Sequence, residues 1–353
     1  MNKSIRMILA GAFACVLLLS LFGVGAVAAP VSEENETVTI VDHRGEYVEV
    51  PCPAERIVVL CPTAQETICA FGDGDKIVGH CSLYDFPSYM KETTVVADSP
   101  GRPNIEILLE RKPDVVIADT HILHSPELVE KIEDAGVPVV VERPHPENMS
   151  TIIKNMGLIL DKEERSEEII EYIEPYLGLV EERVEEVKPE DRPLVYWEAS
   201  WGRYKTPTGA SPTGYKIAAA GGINIAADEV GTWPQVSPEW VVEMSPDVII
   251  TTLTSGKDPT EENMMARRNE IMSRPELKDV NAVKDGRVYV ITWDVLCRLR
   301  YPVGSLYLSK WFYPDLFQDV DPAGVHRELI EDLYGEGEWQ RLAEITFAYP
   351  EPT

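Results

Sequence analysis

Past residue 29 this chain has no apolar run long enough to span a bilayer, and it is short of positive charge. Its 353 residues hold 32 Lys and Arg against 60 Asp and Glu. A phosphate-binding surface needs a basic face, so nucleic acid is excluded as an expected partner. The acidity fits solubility in a harsh or saline exterior. Motifs of catalysis are also missing. There is no Gly-x-Ser-x-Gly elbow, no phosphate-cradling glycine loop and no His-Glu-x-x-His. No carboxylate pair stands out as acid and base, so an enzyme is not expected. Cysteine is scarce. There are six, and setting aside Cys15 leaves Cys52, Cys61, Cys69, Cys81 and Cys297. An odd number in a large chain, without zinc-site spacing, excludes a disulfide-dense scaffold. Cys61 and Cys81 each follow an expected strand and could meet at a sheet edge; their pairing stays open.

What is present begins with a leader. Lys3 and Arg6 precede an apolar run from Met7 to about Ala29, which closes on Ala26-Val27-Ala28. This is the pattern of a secretory signal peptide over residues 1–28. An uncleaved anchor is the alternative, because the run is long enough to span a bilayer. Cys15 has apolar residues after it and is a poor lipid-attachment site. The mature protein is expected outside the cytoplasm, soluble or tethered at the surface. Residues 29–37 are expected to form a flexible lead-in.

One pattern occurs twice. Residues 106–117 run Glu-Ile-Leu-Leu-Glu-Arg-Lys-Pro-Asp-Val-Val-Ile, and residues 239–250 run Glu-Trp-Val-Val-Glu-Met-Ser-Pro-Asp-Val-Ile-Ile. Each copy predicts a short helix, a Pro-Asp turn and a buried strand. Two copies this far apart predict two similar lobes rather than a solenoid. Around them, short apolar strands alternate with helices. Ile57–Leu60, Ile77–His80, Asp114–Ala118 and Val137–Val141 in the first half are matched by Leu194–Trp197, Val248–Thr252 and Val288–Ile291 in the second. This alternation predicts an α/β fold with parallel sheets buried on both faces. A hairpin is expected over Val38–Val50. Lys162–Val187 is the longest helical pattern, with Pro175 expected to kink it. The organisation expected is therefore a first lobe over 38–160, a connecting helix over 161–190 and a second lobe over 191–348.

In open parallel sheets ligands bind beyond the carboxyl ends of the strands. The segments there are Cys61-Pro62-Thr63, Cys81 to Tyr84 and Asp119-Thr120-His121 in the first lobe. In the second they are Glu198 to Tyr204, Thr254-Ser255-Gly256, and Trp293 to Tyr301. The second set is rich in tryptophan and arginine, which suits a planar or macrocyclic ligand bearing carboxylates or phosphate. Candidate ligand contacts are Thr63, Tyr84, Arg102, Trp201, Arg203, Trp233, Trp293 and Arg300. His121 and His124 have a His-x-x-His spacing, with His145 as a third candidate. That spacing selects metal only loosely, and no metal or cofactor of the protein's own is expected.

These residues resemble a known family, the substrate-binding proteins of ABC importers for iron-siderophores, haem and vitamin B12. The resemblance covers nearly all of the mature chain. It is carried by Val41-Asp42-His43-Arg44-Gly45, Pro53-Ala54-Glu55-Arg56-Ile57-Val58, Gly79 to Pro87, Pro103 to Ile117 and Trp233-Pro234-Gln235-Val236-Ser237. It implies two Rossmann-like lobes joined by one long α-helix, with a ligand cleft between them. It implies a monomer that captures an iron complex or corrinoid and delivers it to a permease and its ATPase. It also implies permease docking through one glutamate per lobe, here Glu106 and Glu239. One departure counts against cobalamin: two aromatic pocket positions of the B12 protein match Leu83 and Asp119. The rival reading is a surface sensor or adhesion module built on the same fold. A neighbouring permease gene would favour transport, and a signalling partner would favour sensing.

Overall fold

The computed structural model describes residues 36–253 and 257–352. The chain opens with an antiparallel hairpin, β1 (Thr37–Val41) and β2 (Tyr47–Pro51). The strand starts at Thr37, so the expected lead-in ends a residue earlier. The first sheet has the order β5-β4-β3-β6-β7, from β3 (Ile57–Val59), β4 (Ile77–Cys81), β5 (Val95–Ala97), β6 (Val115–Asp119) and β7 (Val139–Glu142). All its pairings are parallel. Helices α1 (Pro62–Ala70), α2 (Ile105–Glu110), α3 (Pro126–Asp134) and α4 (Met149–Leu160) complete this lobe. Every residue of β3, β6 and β7 is buried. Apolar runs without alternation give strands covered on both faces, as their sequences predict.

The connector α5 (Glu163–Glu185) is a single 23-residue helix that carries Pro175 in its interior. Beyond it the second sheet has the order β12-β11-β10-β8-β9, from β8 (Leu194–Glu198), β9 (Ile223–Asn224), β10 (Val248–Thr252), β11 (Val288–Ile291) and β12 (Ala348–Tyr349). It is parallel except at one edge, where β12 runs antiparallel to β11. The sheet is thus parallel as its strand sequences predict, with one antiparallel edge strand added. A two-residue strand at the chain's end, met by a return rather than a helical crossover, leaves no signal in the sequence. Helices α6 (Pro212–Ala219), α7 (Pro238–Met244), α8 (Glu261–Met272), α9 (Asn281–Lys284), α10 (Trp293–Leu296), α11 (Tyr301–Phe312), α12 (Pro322–Tyr334) and α13 (Glu336–Arg341) belong to this half.

The duplicated unit has one structural logic in both lobes. Asn104 caps α2, its side chain accepting from Ile107 N at 3.1 Å, and Ser237 caps α7 by accepting from Trp240 N at 3.1 Å. Lys112 and Ser245 leave the two helices with φ of 51° and 39°, the left-handed turn that ends many helices. The Pro-Asp aspartates then hold the neighbouring strand. Asp114 Oδ2 accepts from Glu55 N and Arg56 N at 2.9 and 2.8 Å. Asp247 Oδ2 accepts from Leu194 N at 2.9 Å. Each aspartate thus pins the start of the neighbouring strand, β3 or β8.

The lobes share a core. One apolar cluster joins Val59, Ala64 and Ile68 of the first lobe to Trp197, Leu296 and Tyr301 of the second, through α4, α5 and α11. All nine residues of α1 and all twelve of α11 are buried. Residues 36–353 accordingly form one compact body, and burying this much common surface restrains the lobes from swinging far apart.

Candidate functional site

The carboxyl ends of β3 and β8 each lead toward a helix beginning Pro-Thr, and these helices, α1 and α6, carry the charges of the interlobe floor. Glu66 on α1 is 1% exposed. A carboxylate buried that deeply needs partners, and it finds them across the interface. Glu66 Oε1 takes Arg300 Nη2 at 2.7 Å and Arg298 Nη1 at 3.3 Å. Asp294 Oδ1 lies 3.7 and 3.6 Å from the same two guanidinium groups. Arg298 has a φ of 65°, an unfavourable backbone for a residue with a side chain, and such outliers cluster at functional sites. Its guanidinium carbon lies 5.2 Å from the Tyr84 ring centroid, and that of Arg300 lies 4.2 Å from Phe86.

On α6 the corresponding charge is Lys216, 4% exposed. Its Nζ reaches the Pro212 carbonyl at 3.3 Å and the Tyr301 ring centroid at 5.9 Å. Among the described residues it has no carboxylate partner. Lys216, Arg298 and Tyr301 line a small cavity of about 20 Å³ together with Thr63, His145 and Met149. The cavity draws on both lobes. His145 ends the loop after β7 and packs its ring 4.7 Å from that of Tyr215. Burial lowers its pKa, and the charges of Arg143 and Lys216 add to that. The Glu147 carboxylate opposes that shift. His145 Nδ1 lies 3.4 Å from both Glu147 N and Glu147 Oε2.

The predicted contacts are distributed over this region and beyond it. Thr63 lines the cavity, and Tyr84 packs on Arg298. Trp293 begins α10 and lies 6.2 Å from Trp197. Trp201, 52% exposed, meets Trp233 edge-on at 4.8 Å. Arg102 is exposed. Arg203 is exposed too, but its guanidinium is engaged by Glu270 at 2.5 Å. Arg300 is 1% exposed, so its place is in the brace on Glu66 rather than on an open cleft wall. His121 Nδ1 hydrogen-bonds Asp119, and the His121 and His124 rings are 6.0 Å apart. Among the described residues no three His, Cys, Asp or Glu side chains group as metal ligands. The five cysteines of the described residues carry free thiols, and Thr254-Ser255-Gly256 lies outside the described residues.

Glu66 and Lys216 are absent from the expected contacts. Each is the single charge in an apolar helix that follows a strand-end loop, and that isolation is the signal that would have found them. Glu106 and Glu239 are both exposed. Each is the second residue of its helix, α2 or α7, where a carboxylate is favoured by the helix dipole.

Two α/β lobes, a single helical connector and a cavity built from both lobes define a two-lobed solute-binding protein. The periplasmic binding protein family pattern matches residues 57–295; the chain belongs to that family. Its members bind solutes for transport, and the protein is not an enzyme. Similar proteins include the uncharacterized ABC transporter substrate-binding lipoprotein YvrC of Bacillus subtilis (strain 168). That protein is 27% identical over 289 residues, which is 80% of this chain and 87% of the relative. A cobalamin-binding protein of Halobacterium salinarum is 27% identical over 229 residues, 62% of this chain and 60% of its own length. Among solved structures, the TroA-like periplasmic binding protein FepB from Veillonella parvula aligns with a TM-score of 0.71 at 25% identity. That alignment covers 84% of this chain and 96% of FepB. The family agrees with the exported location read from the leader, and no helix among the described residues is long and apolar enough to cross a membrane.

Proposed function

We propose that this protein is the extracytoplasmic substrate-binding component of an ABC importer, capturing a metal chelate, an iron complex or a corrinoid, between its lobes. The observation that carries the reading is the interlobe cavity, walled by both lobes and floored by Lys216 and Arg298 in a chain with 60 acidic residues against 32 basic ones. Cations concentrated at one buried place in an acidic protein favour an anionic or polar ligand there. Trp201, Trp233, Trp293 and Tyr84 are the flat side chains proposed to meet the ligand. With Thr63 and the exposed Arg102, these are the proposed contacts for the ligand body. Arg300 acts indirectly, by holding Glu66. The names of the relatives, a substrate-binding lipoprotein and a cobalamin-binding protein, support the same class of cargo.

Titrating the purified protein with haemin, cyanocobalamin and ferric chelates, read by tryptophan fluorescence, tests the proposal. Saturable quenching by one of them is expected. No response to any would count decisively against it.

Docking is proposed to use Glu106 and Glu239, one exposed carboxylate at the same place in each lobe. The double change Glu106→Lys with Glu239→Lys should abolish uptake in cells. Ligand affinity should stay unchanged, and stability should move by no more than about 0.5 kcal/mol, as for other surface substitutions. Lost ligand affinity would place these residues in the cleft instead.

A further inference from the structure

We infer that the β12 edge of the second lobe carries a second ligand site, a cage for an organic ammonium ion, walled by Tyr307, Trp339, Phe347 and Tyr349 and charged by Glu261 and Glu351. The site stands apart from the interlobe cleft. Every residue that lines it belongs to the second half of the chain, and none lines the cavity beside Lys216. Three observations lead to it.

The first is room. β12 is the last strand of its sheet and pairs with β11 alone, so no further strand fills the space beside it. Side chains of α8, α11, α12, α13 and β12 enclose a cavity of about 430 Å³ there. That is the size of an ordinary small-molecule site.

The second is the character of the walls. Glu261 and Glu351 supply two carboxylates, and no lysine or arginine lines the cavity. Glu351 accepts from the Tyr307 hydroxyl at 3.3 Å. Burial raises the Glu351 pKa against that hydrogen bond, with Asp321 adding to the rise and Lys310 opposing it. Lys310 itself donates to the Val320 carbonyl at 2.7 Å. The carboxylate is therefore short of positive charge. Aromatic faces with carboxylates beside them are the arrangement that recognises organic ammonium groups.

The third is a stranded imidazole. His326 is 1% exposed and lines the cavity, and its Nε2 has no hydrogen-bond partner among the described residues. Trp339 and Phe347 pack edge-on to it, with ring centroids 5.5 and 4.4 Å away. Burial, with the charge of Arg300, lowers its pKa to about 3. It is then an uncharged ring with one donor and one acceptor nitrogen, and it adds no positive charge to the cage. Buried polar atoms ordinarily have partners. An ammonium N–H supplies one when Nε2 is the acceptor, which favours a protonated amine over a quaternary cation.

Calorimetric titration of the purified protein tests the cage. The probes are n-butylammonium and putrescine; n-butanol and potassium ion are the controls. Saturable binding of at least one ammonium probe is expected. n-Butanol has the shape without the charge, potassium has the charge without an N–H donor, and both should bind more weakly. Glu351→Gln and Trp339→Leu should each weaken the ammonium probe about tenfold, the order expected for losing one charge or one aromatic face. Circular dichroism confirms the fold of each variant. Glu261→Gln, at the exposed start of α8, is a further variant that does not disturb packing, and it should weaken the probe in the same direction. Equal binding of n-butylammonium and n-butanol would make the cavity an apolar slot and overturn the cage. Ammonium binding left unchanged by all three variants would place it elsewhere and overturn it too. So would the absence of saturable binding to folded wild-type protein. A protein that binds cyanocobalamin or a ferric chelate but neither ammonium probe keeps the proposed function and loses the cage.

Discussion

Helices α1 and α6 begin alike, Pro62-Thr63 in one lobe and Pro212-Thr213 in the other, and each carries a buried charge three residues after its threonine. The two charges meet different surroundings. Glu66 is neutralised within the protein by two arginines reaching over from the second lobe. Lys216 is left with a carbonyl and an aromatic face. Matched positions in a duplicated architecture thus differ: one charge is paired across the lobes, and the other has no carboxylate partner among the described residues. The lobes differ in the same way at their buried strand-end carboxylates. Glu198, at the end of β8, receives Arg274 at 2.6 Å and Arg267 at 3.0 Å. Glu142, at the end of β7, has Asn155 at 2.6 Å as its side-chain partner.

The largest effect that would break this comparison is at the brace. Glu66→Gln removes the charge that Arg298 and Arg300 share and leaves two buried guanidinium groups under-compensated. Breaking such a pair costs about 3–5 kcal/mol, measurable by urea unfolding. A loss below about 1 kcal/mol would mean that the brace is no more than a surface-strength pair.

Glu142 gives the comparison a pH signature. Burial pushes the Glu142 pKa from 4.5 up to about 7, against the lowering effect of the Asn155 hydrogen bond. The folded protein keeps this proton at pH values where the unfolded chain has released it. Its contribution is therefore lost as pH rises from about 4.5 to about 7. A shift of that size corresponds to roughly 3 kcal/mol. Glu142→Gln, which keeps an acceptor for Asn155, should flatten the fall in stability across that window. An unchanged slope would assign it to other groups.

A smaller effect sharpens the likeness of the lobes. Asp114→Ala frees two strand-start N–H groups, and Asp247→Ala frees one. Both should destabilise by about 1–3 kcal/mol, the first more than the second. Equal and negligible losses would mean that the repeated aspartate does not pin the strands.

Much of this architecture was legible in the sequence, for reasons that differ by element. The strands of the two sheet centres are unbroken Val and Ile runs, and α8 and α12 have clear caps and starts, so their places follow from local chemistry. Edge strands β5, β9 and β12 are two or three residues long, too short to show a period, and they exist because a neighbouring strand offers them hydrogen bonds. The site was legible only as a region. Position after a strand end brought Thr63 and Tyr84 into view. It could not say that Arg300 turns inward to Glu66 across the lobes, or that Arg203 is held by Glu270. Those pairings join residues 234 and 67 positions apart, and no local pattern records them. Lys216 was hidden for the same reason: a lysine in a helix is ordinarily a solvated residue, and only packing shows that this one is enclosed.

A crystal structure of the protein with the chelate that quenches its tryptophans tests the central claim most directly. The ligand is predicted between the lobes, against Trp201, Trp233, Trp293 and Tyr84, with the Glu66 brace intact. A ligand bound away from the interlobe cleft would contradict it.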